Sequence, residues 1–83
     1  MSNSHTSAQI KTTYKVEGVG SAHCQAIVAK AVGGLDGIST VDVEIGTGLV
    51  TVTTAAEPDE ALDALIAETV DDAGYDYSGR LAA

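Results

Sequence analysis

The sequence predicts an α+β fold of ferredoxin-like type: βαββαβ order, a four-stranded antiparallel sheet and two helices on one of its faces. Three observations predict it. Some stretches alternate apolar and polar residues at every second position, two others repeat apolar residues at three- and four-residue steps, and glycines or a proline stand between them. Two helices with one apolar stripe each must bury it, and one face of a four-stranded sheet accommodates both. Right-handed β-α-β crossovers then give the sandwich.

The elements follow in order. Residues 1–9 are Ser/Thr/Asn-rich without periodicity and are expected to form a disordered tail; the domain proper is placed at 10–79 and a C-terminal tail at 80–83. In the first strand Ile10, Thr12, Tyr14 and Val16 share one face, while Lys11, Lys15 and Glu17 share the other. "GVG" at 18–20 breaks it. Cys24, Ile27, Val28, Ala31, Val32 and Leu35 then mark an amphipathic helix, weakened and ended by Gly33, Gly34 and Gly37. "ISTVDVEI" (38–45) and "LVTVTTA" (49–55) read as β-branched strands joined by a "GTG" hairpin turn. Pro58 suits the first turn of a second helix, where the surrounding carboxylates favour the positive end of the helix dipole. Leu62, Leu65, Ile66, Thr69, Val70 and Ala73 form its stripe, Gly74 is a stop, and "YDYSG" (75–79) is a last short strand.

Composition bounds the function. Eighty-three residues, 45% of them hydrophobic, suit one domain with a small core, and the apolar set of Val, Ala, Ile and Leu without Phe or Trp suits close helix-on-sheet packing better than a large ligand cavity. Four basic against twelve acidic residues give a formal charge of −8, which repels phosphate backbones and anionic membrane surfaces; neither nucleic acid nor membrane insertion is expected. Eight of the twelve carboxylates lie between Glu57 and Asp76, either a solvated helix face or a docking surface for a basic partner. One cysteine forms no internal disulfide, the N-terminus has no apolar core of a leader, and no stretch approaches a membrane span, so a soluble cytoplasmic protein is expected.

The chemistry concentrates in "VGSAHCQAIV" (19–28). Cys24 falls in the first turn of the first helix, whose free N–H groups and positive dipole end favour thiolate over thiol. Ser21 occupies a good N-cap position, its hydroxyl able to accept from the N–H of His23 or Cys24, and a cap is the reading favoured over a ligand. Cys24 reads as a metal ligand or reactive thiol, or else as a small buried apolar residue. His23 reads as an exposed helix residue or as an imidazole ligand, and His5 as an adventitious one. Tyr75 is placed in the packing at the loop's edge with its hydroxyl in water. No nucleophile–base–orienter arrangement surrounds Cys24, so an enzyme is not expected, and "GVG" without a longer glycine pattern or a Lys is no phosphate cradle.

"YKVEGVGSAHC" followed by an amphipathic helix, together with "VDDAGYDYSG", resembles the heavy-metal-associated domain family, which comprises small copper chaperones and the soluble metal-binding domains of copper-transporting ATPases. The resemblance spans roughly 10–79 and is nearest to bacterial copper chaperones. Their motif, Gly-Met-x-Cys-x-x-Cys with His before the second Cys in several members, is matched at Gly18, His23 and Cys24; Gly74 and Tyr75 match the family's late Gly-Tyr pair, which lies close to the metal loop. Val19 replaces Met, and Ser21 replaces the first Cys. The resemblance implies Cu(I) as the metal, a site at Cys24, His23 and Ser21, and the soluble domain of a copper-transporting ATPase or a related domain as partner. A hydroxyl is a poor ligand for a soft ion, so one chain lacks the two-thiolate site of the family. Coordination is then completed by His23 or by Cys24 of a second copy in a homodimer. The alternatives are a degenerate domain, natural or made by a Cys-to-Ser exchange, that works by protein contact, and a small-molecule regulatory domain of the same topology, for which no pocket signal exists.

Overall fold

The computed structural model describes residues 9–55 and 57–81. Six elements follow in βαββαβ order: β1 (Ile10–Glu17), α1 (Ala22–Gly33), β2 (Ile38–Val43), β3 (Leu49–Thr54), α2 (Glu60–Asp72) and β4 (Asp76–Arg80). The strands form one antiparallel sheet in the order β2-β3-β1-β4. Helix α1 packs over β2, α2 against β4, and the helices touch each other. This is the expected ferredoxin-like sandwich.

Register follows from the alternation of side chains. Tyr14 faces Val50, which faces Val43, and Thr12 faces Val52, which faces Val41. These inward rows meet Val28 and Val32 of α1 and Ile66 and Val70 of α2 in one core, with Tyr14, Val16, Val50 and Val52 fully enclosed. A one-residue slip of β1 would turn Lys11 and Lys15 into that core, so burial fixes the pairing. The outer face is polar, and there Thr13 meets Thr51 (3.1 Å) and Thr40 donates to Thr53 (2.8 Å).

The largest enclosed side chain is also the one with a polar end. The Tyr14 hydroxyl donates to Asp63 Oδ1 (2.9 Å) at the first turn of α2, and Asp63 Oδ2 pairs with Arg80 at 3.4 Å. One phenol thereby ties β1, α2 and the end of β4 together. Burial first, then the Asp63 bond and its charge, push the Tyr14 phenol above its ordinary value of 10.0.

Several boundaries differ from the sequence reading, β3 among them, which ends at Thr54 and not at 55. Pro58 lies outside α2, because Asp59 is the N-cap and its carboxylate accepts from the Leu62 N–H at 2.9 Å. β4 starts at Asp76 and includes Arg80, and the Leu81 N–H donates to the Thr13 carbonyl at 2.9 Å, so the sheet extends past residue 79. Backbone pairing needs no apolar side chain, and periodicity cannot register it. β2 ends at Val43, two residues early, because the chain turns where the Glu44 N–H donates back to Leu49. Of the expected tails, residues 1–8 and 82–83 lie outside the described residues.

Candidate functional site

Three connections meet at one end of the fold: the β1–α1 loop (Gly18–Ser21), the β2–β3 hairpin turn, and the α2–β4 turn at Gly74. The first carries the chemistry. Ser21 is the N-cap of α1 in extended conformation, and its Oγ accepts from the Cys24 N–H at 3.3 Å. The same hydroxyl donates to Cys24 Sγ at 3.4 Å. The cap reading of Ser21 is therefore observed, together with a second bond that the cap reading omits. No acidic residue lies in the first turn of α1, so no carboxylate competes for its positive end.

Cys24 is half-buried and free. The Ser21 hydroxyl first, then the Tyr75 hydroxyl, hold its thiol below the ordinary value of 9.0 against the opposing effect of burial, with lesser help from the backbone N–H groups of Gly20 and Ser21. Each donor bonds the charged form, which is the physical route to a lowered value.

Tyr75 lies at the edge of the loop, where the sequence reading placed it. Its ring lies on Gly18, where an added Cβ would come within 3.3 Å of Cδ1, and phenol and thiol influence each other's titration. Cys24 first, then burial, push the Tyr75 phenol upward. Its placement comes from the end of α2. The Gly74 N–H donates to Asp71 at 3.0 Å and the Tyr75 N–H to Val70 at 3.1 Å, a Schellman closure with Gly74 at φ +95°. The closure turns the chain back toward β1 one residue after the helix, and Tyr75 is the residue delivered. The signal for it was the glycine directly after the apolar stripe.

His23 is exposed on the helix position next to Cys24. Adjacent helical residues point in different directions, so imidazole and thiol do not converge on one point without a movement of the first turn. Val19 is buried beneath the loop, 4% exposed, as a packing residue in the Met position of the motif should be. His5 lies outside the described residues. Among the described residues no three His, Cys, Asp or Glu side chains cluster, and no helix is long and apolar enough to cross a membrane. The arrangement offers one activated sulfur in a shallow, polar setting, suited to holding a soft ion or a second thiol and without the base and orienter that nucleophilic catalysis requires.

The model of the heavy-metal-associated domain matches residues 13–76. The copper chaperone CopZ of Bacillus subtilis is 41% identical over 66 residues, covering 80% of this chain and 93% of that protein. Among solved structures, oxidized MerP from Ralstonia metallidurans CH34 superposes with a TM-score of 0.69 at 30% identity, over 86% of this chain and 96% of that one. A copper-binding domain of a P-type ATPase gives a TM-score of 0.71 at 26% identity, over 87% and 93%. The fold agrees with these solved structures, and the copper chaperones of this family are metal-trafficking proteins, not enzymes. The chain belongs to the heavy-metal-associated domain family.

Proposed function

We propose that the chain is a cytoplasmic Cu(I)-binding protein of the copper-chaperone type in which Cys24 is the principal ligand, and that it exchanges metal with the soluble domain of a copper-transporting ATPase or a related domain. The observation that carries this reading is the Cys24 sulfur at the first turn of α1, accepting from the Ser21 hydroxyl at 3.4 Å. A thiolate is the right donor for a soft ion, and an imidazole is an acceptable second one. Ser21 fills the place of the first motif cysteine with a donor hydroxyl, so the second ligand is supplied from elsewhere. Two sources are compatible with the fold: His23 after a shift of the first helical turn, or Cys24 of a second copy across a two-fold axis. The second leaves the loop as it is.

The test is an anaerobic Cu(I) titration against chelators of graded affinity, with the mass of the intact complex measured. Copper taken up with a dimer assigns the second ligand to Cys24 of the partner copy; tight uptake by the monomer assigns it to His23. Cys24→Ala abolishes uptake in either case. A protein that keeps no copper against a weak competitor refutes the proposal.

The charge distribution favours one second reading. Residues 57–76 hold eight carboxylates and no basic residue, while the four Lys and Arg elsewhere balance the remaining four carboxylates. The whole net charge is therefore a property of α2 and its flanks. A protein-contact module working through that face would bind a basic partner with steep salt dependence. That binding would be indifferent to Cys24→Ala, which separates the two readings.

A further inference from the structure

The β1–α1 loop contains Gly18 and Gly20, two residues that by themselves leave the start of α1 poorly fixed. What fixes it comes from the β2–β3 hairpin turn. Beyond the last ladder pair of Lys15 with Leu49, the two chains remain joined. The Val16 N–H donates to the Gly48 carbonyl at 2.8 Å, the Gly46 N–H donates to the Val19 carbonyl at 3.0 Å, and Lys15 Nζ donates to the Thr47 carbonyl. Three successive residues of the turn thus grip the chain on both sides of Gly18, while the Tyr75 ring covers Gly18 itself.

This grip requires glycine at one position. Gly48 is buried at φ +74°, and a Cβ there would stand 2.0 Å from the Val16 carbonyl oxygen and 3.1 Å from its carbon. No side chain can be accommodated unless the hairpin moves off β1. Gly46 also has positive φ, +94°, but its Cβ would meet nothing within 4 Å. Conformational freedom alone therefore does not explain Gly48; contact with the strand that leads into the loop does.

We propose that Gly48 and Lys15 are positioning residues for the Cys24 site, holding the hairpin turn against Val16–Val19 so that Ser21 and Cys24 start α1 directly after the segment covered by the Tyr75 ring. This rests on the reading of Cys24 as the working group. The hydrogen bonds shown between the hairpin turn and this segment all involve the backbone of the strand–loop junction or Lys15, so the turn acts on the site through the loop. The first turn of α1 then inherits its position from a segment more than twenty residues downstream.

The test uses the full chain without metal, reading the alkylation rate of Cys24 by iodoacetamide and the amide resonances of residues 18–24. Its failure is thereby distinguishable from failure of the copper titration. Gly48→Ala and Lys15→Met are compared with Gly37→Ala, which carries the same kind of strain (φ +91°) with open space around its Cβ. The expected result is a change in alkylation rate of roughly threefold or more in Gly48→Ala, a smaller change of the same sign in Lys15→Met, and moved amide signals in both, since small displacements of positioned groups have large kinetic effects. Gly37→Ala is expected to leave rate and signals as in the parent. If Gly48→Ala does not fold, Lys15→Met against Gly37→Ala decides. Folded hairpin variants with an unchanged Cys24 rate overturn the proposal, as does a Gly37→Ala variant that changes it equally.

Discussion

Ser21→Ala separates the two tasks of one hydroxyl. The parent Oγ accepts from the Cys24 N–H at 3.3 Å and donates to Cys24 Sγ at 3.4 Å. Loss of a serine N-cap costs about 0.5–2 kcal/mol, and the length of the accepted bond puts this cap in the lower half, about 0.5–1 kcal/mol. For a domain of this size 1 kcal/mol is roughly 4–8 °C, so the expected drop in melting temperature is about 2–8 °C. The second effect is chemical. The Ser21 bond is the largest of the influences holding the thiol below 9.0, so the variant's thiol titrates higher, while Tyr75 and the backbone N–H groups keep it from returning fully. The sign of the linked stability follows. Between the lowered native value and 9.0 the unfolded chain holds a proton that the folded chain has lost, so stability rises with pH through that window and is lost as pH falls through the native value. Ser21→Ala flattens the rise. The assays are a thermal melt and the pH profile of Cys24 alkylation, each with Ser21→Thr as the variant that keeps a hydroxyl. A lower melting temperature with an unmoved alkylation profile would refute the claim that Ser21 activates the sulfur and leave it a cap alone.

Other expectations follow from the core and the loop. Tyr14→Phe removes the donor to Asp63 and should cost about 1–2 kcal/mol, read as a lower urea midpoint with unchanged slope. Because burial and Asp63 push the Tyr14 phenol above 10.0, the folded chain keeps a proton there that the unfolded chain loses; parent stability declines as pH rises past 10, and Tyr14→Phe removes that share of the decline. Ile66→Ala opens a void at a fully enclosed position and should cost about 2–5 kcal/mol in the same urea experiment. Gly18→Ala combines φ +99° with a Cβ 3.3 Å from the Tyr75 ring, so it should cost about 1–3 kcal/mol and slow Cys24 alkylation by displacing Tyr75.

The parts of the fold that could be read in the sequence are those encoded at short range. Alternation in β1, the stripes of α1 and α2, and the glycine turn between β2 and β3 each need only a few neighbouring residues, and each element appears in the structure. The Ser21–Cys24 relation was legible for the same reason, since an N-cap spans three residues. The start of α2 was misjudged because two good starters, Pro58 and Asp59, stand side by side, and the carboxylate that reaches Leu62 prevails. The end of β4 was misjudged because Arg80 is held by backbone pairing and by Asp63, neither of which leaves an apolar imprint. The Tyr75 ring on Gly18 joins residues far apart in the chain, and only a folded sheet brings them together. The hairpin's grip on the loop is likewise a property of the assembled sheet.

The Schellman closure at Gly74 has a kinetic consequence. Ser21 acts on the sulfur within one helical turn, whereas the end of α2 and the hairpin turn reach the loop from segments far apart in the chain. Contacts of that span carry a larger loop-closure cost and form more slowly than local ones. Cys24 is then a reporter of completed folding: the local cap can act on it early, but its full native surroundings are reached only when the distant segments are also in place.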